Sequence, residues 1–278
     1  MKKIIVAFDG LNFSESAMQY GLFLARGARA QLTGIFLKEA TGLGYALYES
    51  MVGQSVPGRA MVKEIAASDN RATDEAVARF EMNCREAGVT HRVHRDLQDP
   101  AVELIHESRF ADLLVVDMWE TFSYLESGLP GWFIKTILQE AACPVIIVPR
   151  RFTPVKKLAL LYDGSPSSMQ AIRMLNYVLP QFQHCSTTLW HAAEDLTGKQ
   201  LPDQALVTEW LESHYPKVSY KLVRGAEKEI ISMLKQEQPG TLAVAGAYHR
   251  SRVSMWFHKS MADLLMKDIA VPIFIAHT

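Results

Sequence analysis

Two Asp-Gly pairs are the residues of this chain best placed to do chemistry. Asp9-Gly10 closes the apolar run Ile4–Phe8, and Asp163-Gly164 closes Leu158–Tyr162. A Ser-rich segment follows each: Asn12-Phe13-Ser14-Glu15-Ser16 in one case, Ser165-Pro166-Ser167-Ser168 in the other. A carboxylate that ends a strand stands at the crevice where a doubly wound sheet takes its ligand. The same residues also fit an Asx turn that caps the next helix, and one side chain can serve both purposes. The stretch Tyr248–Arg252 offers Arg250 and Arg252 either to an anion or to solvent. Ser260, with Asp263 three residues on, fits a plain N-cap as well as a ligand contact.

Other chemistries find little to stand on. His91 and His94 are three apart in a strand-like stretch, which puts them on opposite faces, and His184, His191 and His214 have no spaced partners; no metal is expected. No Ser/His/Asp order and no nucleophile elbow is present, so no catalytic residue is assigned. Trp119, Trp132 and Trp256 read as packing residues. The net charge of −1 gives no global attraction to nucleic acid or anionic membrane, and neither is expected as a partner. Cys84, Cys143 and Cys185 are scattered and odd in number, a pattern of reducing compartments. The opening Met1–Val6 imitates a signal peptide only briefly before Asp9, Asn12 and Glu15 interrupt it. No apolar run is long enough to span a bilayer, and a cytoplasmic location follows as the expectation.

The elements that must position these residues occur twice. Lys2–Gly10 is restated at Lys156–Gly164, and Ala142-Cys143-Pro144-Val145-Ile146-Ile147-Val148 at Ala270-Val271-Pro272-Ile273-Phe274-Ile275-Ala276. So long a repeat implies two copies of one domain, 1–150 and 151–278, joined by the proline-bounded linker Pro149–Pro154. Ile4–Phe8, Leu32–Leu37, Leu113–Val116 and Val145–Val148 are short continuous apolar runs suited to strands buried on both faces. Between them lie helical patterns: one capped by Ser14, one over Thr73–Ala87 closed by Gly88, one over Pro100–Ser108 with Val102, Leu104 and Ile105 inward, and one over Trp132–Ala142. The second half repeats the order, ending on a helix near Ser260–Lys267. Such alternation predicts βαβ units and a doubly wound sheet, with ligands beyond the carboxyl ends of the strands, where Asp9 and Asp163 stand. The halves differ most after the second strand, where Lys38–Glu64 reads as a long loop with a short helix near Tyr45–Met51.

The strand ending in Asp-Gly, the Ser-rich helix start and the terminal Pro-Val-Ile-Ile-Val strand, repeated in order over nearly the whole chain, resemble the universal stress protein family in a tandem form. The resemblance implies two flavodoxin-like (HUP-type) α/β domains, each a five-stranded parallel sheet in order 3-2-1-4-5. Family members commonly dimerise through their last strands. Here that implies an intrachain pseudo-dimer in which Val145–Val148 pairs antiparallel with Ile273–Ala276, which also removes two exposed sheet edges.

Nucleotide-binding members of the family carry Gly-x-x-Gly, nine residues, then Gly-Ser or Gly-Thr after the fourth strand. The second domain keeps that spacing from Gly246 to His249 and on to Lys259-Ser260, with His249 and Lys259 replacing two glycines. The first domain keeps one glycine, Gly131, followed by Trp132, and fills the loop with Asp117, Glu120 and Glu126. The resemblance also implies contacts at Asp163 and the backbone of Ala192, matched in the first domain by Asp9 and Leu37. ATP or AMP with magnesium is therefore expected, if anywhere, in the second domain. The leading expectation is a non-enzymatic stress-response sensor or scaffold. The rival is an ATP/AMP-binding protein with slow hydrolysis, and a third reading makes Lys38–Glu64 the cover of an apolar pocket for another small molecule.

Overall fold

The structure, a computed structural model, describes residues 1–10, 12–37, 59–96, 99–119, 132–193, 201–225, 227–234, 236, 240–246 and 271–276. In the first half, strands β1 (Lys3–Asp9), β2 (Gln31–Leu37), β3 (His91–Asp96), β4 (Leu113–Asp117) and β5 (Val145–Val148) alternate with helices α1 (Glu15–Ala28), α2 (Arg59–Glu86), α3 (Pro100–Ser108) and α4 (Trp132–Glu140). In the second half, β6 (Lys157–Leu161), β7 (Ser186–Ala193), β8 (Val218–Arg224), β9 (Thr241–Gly246) and β10 (Ile273–Ala276) accompany α5 (Pro166–Val178), α6 (Gln204–His214) and α7 (Glu227–Leu234). A short 3₁₀ turn, Pro180–Phe182, follows α5.

All ten strands form one sheet, ordered β3-β2-β1-β4-β5-β10-β9-β6-β7-β8. Each half is a parallel five-stranded sheet of order 3-2-1-4-5, the flavodoxin-like arrangement. The seam is the antiparallel pair β5–β10, with Ile273 opposite Ile147, Phe274 opposite Ile146 and Ile275 opposite Val145. Successive side chains of a strand point to opposite faces, so every strand feeds two cores. On one face Ile4, Val6 and Phe8 of β1 meet α1 and α2, and Leu158 and Leu160 of β6 meet α5 and α6. On the other, Ile5 and Ala7 meet α3 and α4, and Ala159 and Leu161 meet α7. The alternation runs unbroken through the seam, where Ile146 and Phe274 face one way and Ile147 and Ile273 the other.

The halves also meet beside the seam. Phe152 of the linker packs edge-on against Tyr20 at 4.8 Å and Phe23 at 5.8 Å, and Phe23 stacks on Phe182 at 6.1 Å. Burial pushes the Tyr20 phenol up to about 12, against the pull of the Thr153 N–H that donates to its oxygen.

Two readings of the sequence are corrected here. The helix taken to start at Thr73 starts at Arg59, so part of the supposed loop, 59–64, is helical; positions 38–58, including the helix placed at Tyr45–Met51, lie outside the described residues. Thr73-Asp74-Glu75 looks like an N-terminus, but the Thr73 hydroxyl sits within the helix, placed to donate to the Asp69 carbonyl at 2.9 Å and the Gly10 carbonyl at 3.2 Å. In α3 the inward set is Ala101, Leu104 and Ser108, while Val102 is exposed, because a face one turn wide follows the spacing of three and four and not the neighbouring position. His91 and His94 do take opposite faces: His91 packs edge-on against Phe80 of α2, and His94 Nδ1 lies 2.5 Å from Glu107 of α3. Among the described residues no cluster of His, Cys, Asp and Glu could hold a metal ion.

Candidate functional site

Both halves open a crevice where their first and fourth strands end and the first helix begins. In the first half Asp9 ends β1 in register with Leu37, and the Gly10 N–H donates to the Leu37 carbonyl at 2.8 Å. Asn12 Nδ2 donates to Asp9 Oδ2 at 3.0 Å, so the carboxylate tightens its own turn. Ser14 caps α1 from an extended backbone, its oxygen accepting the Ala17 N–H at 3.1 Å. The same hydroxyl donates to Oδ2 of Asp117, the last residue of β4, whose Oδ1 accepts the Trp119 N–H at 2.9 Å. Asp117 is buried, so this crevice holds a carboxylate at the positive end of α1. Arg150 covers the Trp119 ring at 3.9 Å. Trp119 and Trp132, the first residue of α4, read from the sequence as packing residues, are both exposed.

The second crevice repeats the frame without that acid. Asp163 Oδ1 accepts the Ser165 N–H at 2.8 Å, an Asx turn leading into α5. Gly164 takes a left-handed φ of +81°, and a Cβ there would also meet the Pro202 side chain at 2.7 Å. Ser165 caps α5 by accepting the Ser168 N–H at 3.1 Å, and Pro166 opens the helix where its missing donor costs nothing. Gly246 ends β9 where Asp117 ends β4. It has no room for a side chain, since a Cβ would lie 2.5 Å from Ser167 Oγ and 2.6 Å from the Ser167 carbonyl carbon. The glycine is thus demanded by the close approach of α5 to the strand tip.

The two predicted sets divide as follows. Asp9 and Leu37 meet directly, while Trp132 is placed at the start of α4. Asp163 and Gly246 sit at neighbouring strand tips, since β6 pairs with β9 and Leu160 stands opposite Val244. Ala192 lies in β7, partly buried and opposite Val223. Gly131, His249, Lys259 and Ser260 lie outside the described residues.

Sequence reasoning missed a polar network under the second crevice. His191 Nδ1 lies 2.8 Å from the Tyr162 carbonyl, and the Tyr162 hydroxyl donates to the Pro202 carbonyl at 3.2 Å. Burial raises the Tyr162 phenol, reinforced by the carboxylates of Asp203 and Asp163. The signal available was the place of Tyr162 beside Asp163, directly after an apolar strand.

The profile of the universal stress protein family matches residues 1–149. The chain belongs to this family. No curated protein matches it. Among solved structures, a universal stress protein from Archaeoglobus fulgidus is similar over 99% of this chain and 98% of its own, with a TM-score of 0.72 and 15% identity. A Pseudomonas aeruginosa protein assigned to the same family is similar over 100% and 93%, with a TM-score of 0.58 and 11% identity. The cytoplasmic domain of a prokaryotic cation chloride cotransporter is similar over 99% and 94%, with a TM-score of 0.55 and 12% identity. These likenesses show that the fold recurs over nearly the whole chain at low identity. Among the described residues no helix is long and apolar enough to cross a membrane.

Proposed function

We propose that the chain is a tandem universal stress protein, with domains 1–150 and 151–278, that acts as a non-enzymatic stress-response sensor or scaffold. Any ATP or AMP, with magnesium, binds in the second domain alone. One observation carries this ordering. The Asp117 carboxylate already occupies the N-terminal end of α1, bonded to its capping Ser14, whereas Gly246 brings no charge to the matching end of α5. A phosphate entering the first crevice would meet that buried anion at the point where the helix would otherwise receive it.

The antiparallel β5–β10 pair supports reading the two domains as an intrachain pseudo-dimer, because it satisfies the edges that two separate domains would leave open. Three free cysteines, two of them buried, support a reducing, cytoplasmic location. Nucleic acid is not a partner on this reading, since the charge is near balance.

The rival, an ATP/AMP-binding protein with slow hydrolysis, draws its support from the Asp163 turn and the open α5 terminus in the same domain. Calorimetric titration with ATP and magnesium, on wild type and Asp163→Ala, separates the two. Tight binding that disappears in the variant favours the rival; weak or absent heat in both favours the sensor. Native mass spectrometry of freshly purified protein tests for a retained small molecule of another kind.

A further inference from the structure

We propose that β8, the outer strand of the second half, takes an added strand from a protein partner: an extended segment in which acidic and apolar residues alternate. Among the described strands β8 pairs with β7 alone. The Thr187 N–H donates to the Lys217 carbonyl at 3.0 Å, and the Gly225 N–H donates to the Ala193 carbonyl at 2.9 Å. Backbone groups alternate sides along a strand, so the odd-numbered residues of this stretch bond to β7. Tyr220, Leu222 and Arg224 turn their N–H and C=O groups outward, where no described residue meets them. Such a row is a template for another strand.

The opposite edge of the sheet is guarded. The Leu32 N–H donates to the Thr90 carbonyl at 2.9 Å, so His91, Val93 and Arg95 of β3 are the outward residues there. His91 packs edge-on against Phe80 of α2, and Arg95 is paired with Asp74 of α2 at 2.5 Å. Charged side chains along an edge deter pairing. In the second half α6 has 11 residues where α2 has 28, and the outward Tyr220 and Leu222 are 38% and 39% exposed.

The two faces of β8 name the guest. Tyr220 and Leu222 stand opposite Leu189 and His191, on the face that carries α5 and α6. Lys217 and Lys221 take the other face, where the Lys221 ammonium lies 4.2 Å from the Trp190 ring centre. The stretch Lys217–Arg224 holds three cations, Lys217, Lys221 and Arg224, and no acid. A strand laid beside β8 alternates in the same way, so one set of its side chains meets Tyr220 and Leu222 and the other meets the two lysines. Apolar residues suit the first set and carboxylates the second. Glu212 of α6 lies near Tyr220 and disfavours acid on the first face. This surface uses neither crevice. It gives the scaffold reading a partner chemistry, and its test involves no nucleotide, so either can fail while the other stands.

The probe is a fluorescein-labelled peptide, Asp-Val-Glu-Ile repeated twice, titrated against the full chain with anisotropy as the readout. Wild type is expected to bind it, and to ignore the same peptide with lysine in place of each acid. Binding should slow hydrogen exchange of the Tyr220, Leu222 and Arg224 amides at least about tenfold. Leu222→Pro removes one outward N–H and leaves the bonds to β7 in place, so it should fold, by circular dichroism, and bind at least about tenfold more weakly. Lys217→Glu changes an exposed side chain on the basic face and should weaken binding as well. Unchanged anisotropy up to millimolar peptide overturns the proposal. So does binding that both variants keep, or binding that slows other amides and not these three. Slow exchange at the three amides without peptide, increasing with protein concentration, would assign the edge to a second copy and overturn it too.

Discussion

The packing role of Gly246 can be measured by adding one methyl group. In Gly246→Ala the new Cβ would stand 2.5 Å from Ser167 Oγ, 2.6 Å from the Ser167 carbonyl carbon and 2.7 Å from its oxygen. Ordinary contact begins at 3.4 Å, so the overlap with the carbonyl carbon is about 0.8 Å. Two of the three atoms are backbone in the first turn of α5 and cannot rotate away. Overpacking of this kind costs about 1–3 kcal/mol. Alanine returns about 0.4–1 kcal/mol by restricting the unfolded chain. The net expectation is a loss of about 1–2 kcal/mol, read as a lowered urea midpoint with an unchanged slope. Ser167→Ala removes only one of the three overlaps and should not restore stability in the double variant. Gly27→Ala is the control: it lies inside α1 and its Cβ would meet the side-chain end of Gln181 at 3.2 Å. Alanine favours a helix by about 0.8–1 kcal/mol over glycine, so this variant should match or exceed wild type. A Gly246→Ala protein as stable as wild type would refute the reasoning, and the glycine would then owe its place to something other than helix approach.

Four further outcomes follow from the same geometry. Asp117→Ala strands the Ser14 hydroxyl and the Trp119 N–H and should cost about 1–3 kcal/mol in denaturant unfolding; an unchanged midpoint would contradict the capping role. Burial raises the Asp112 carboxyl, but the N–H groups of Lys2 and Lys3, donating at 2.7 and 2.9 Å, outweigh it and hold the group below its ordinary value. Its stabilisation is complete above the unfolded carboxyl value of about 3.9 and is lost as pH falls through the folded one; Asp112→Asn should flatten the acid limb of stability against pH, and an identical limb would count against it. Burial, helped by nearby carboxylates, pushes the Cys84 and Cys143 thiols up to about 12, so both should resist a disulfide reagent at about pH 8 until the chain unfolds. Rapid labelling of either in the native state would contradict their placement. Truncation after Arg150 removes the β10 partner of β5 and should give an aggregating or self-pairing fragment; a stable, soluble monomer would refute obligate internal pairing.

Much of the fold was legible because the strands are continuous apolar runs bounded by Asp-Gly or proline. Val145–Val148 and Ile273–Ala276 read alike, as short apolar runs entered by a proline, and their mutual pairing is what the family resemblance implied. The cap Ser14 was visible because a serine before an amphipathic stretch has few other uses, whereas Ser165, read only as part of a turn, caps a helix that starts at Pro166. The start of α2 was not, because Thr73 imitates a cap while its hydroxyl is satisfied one turn back. The tie between Ser14 and Asp117 spans residues far apart in the chain, and only the β1–β4 pairing brings them together. The sequence did announce the repulsion that Asp117 would exert. It gave no hint that Trp119 would lie under Arg150, because only the β4–β5 pairing brings the two together.

The inequality of the two crevices is tested most directly by photolabelling the full chain with an azido-ATP analogue in the presence of magnesium, followed by peptide mapping. The account predicts that no peptide from residues 1–150 carries label and that any label formed lies within 151–278. Label on a peptide containing Asp9 or Asp117 would contradict it.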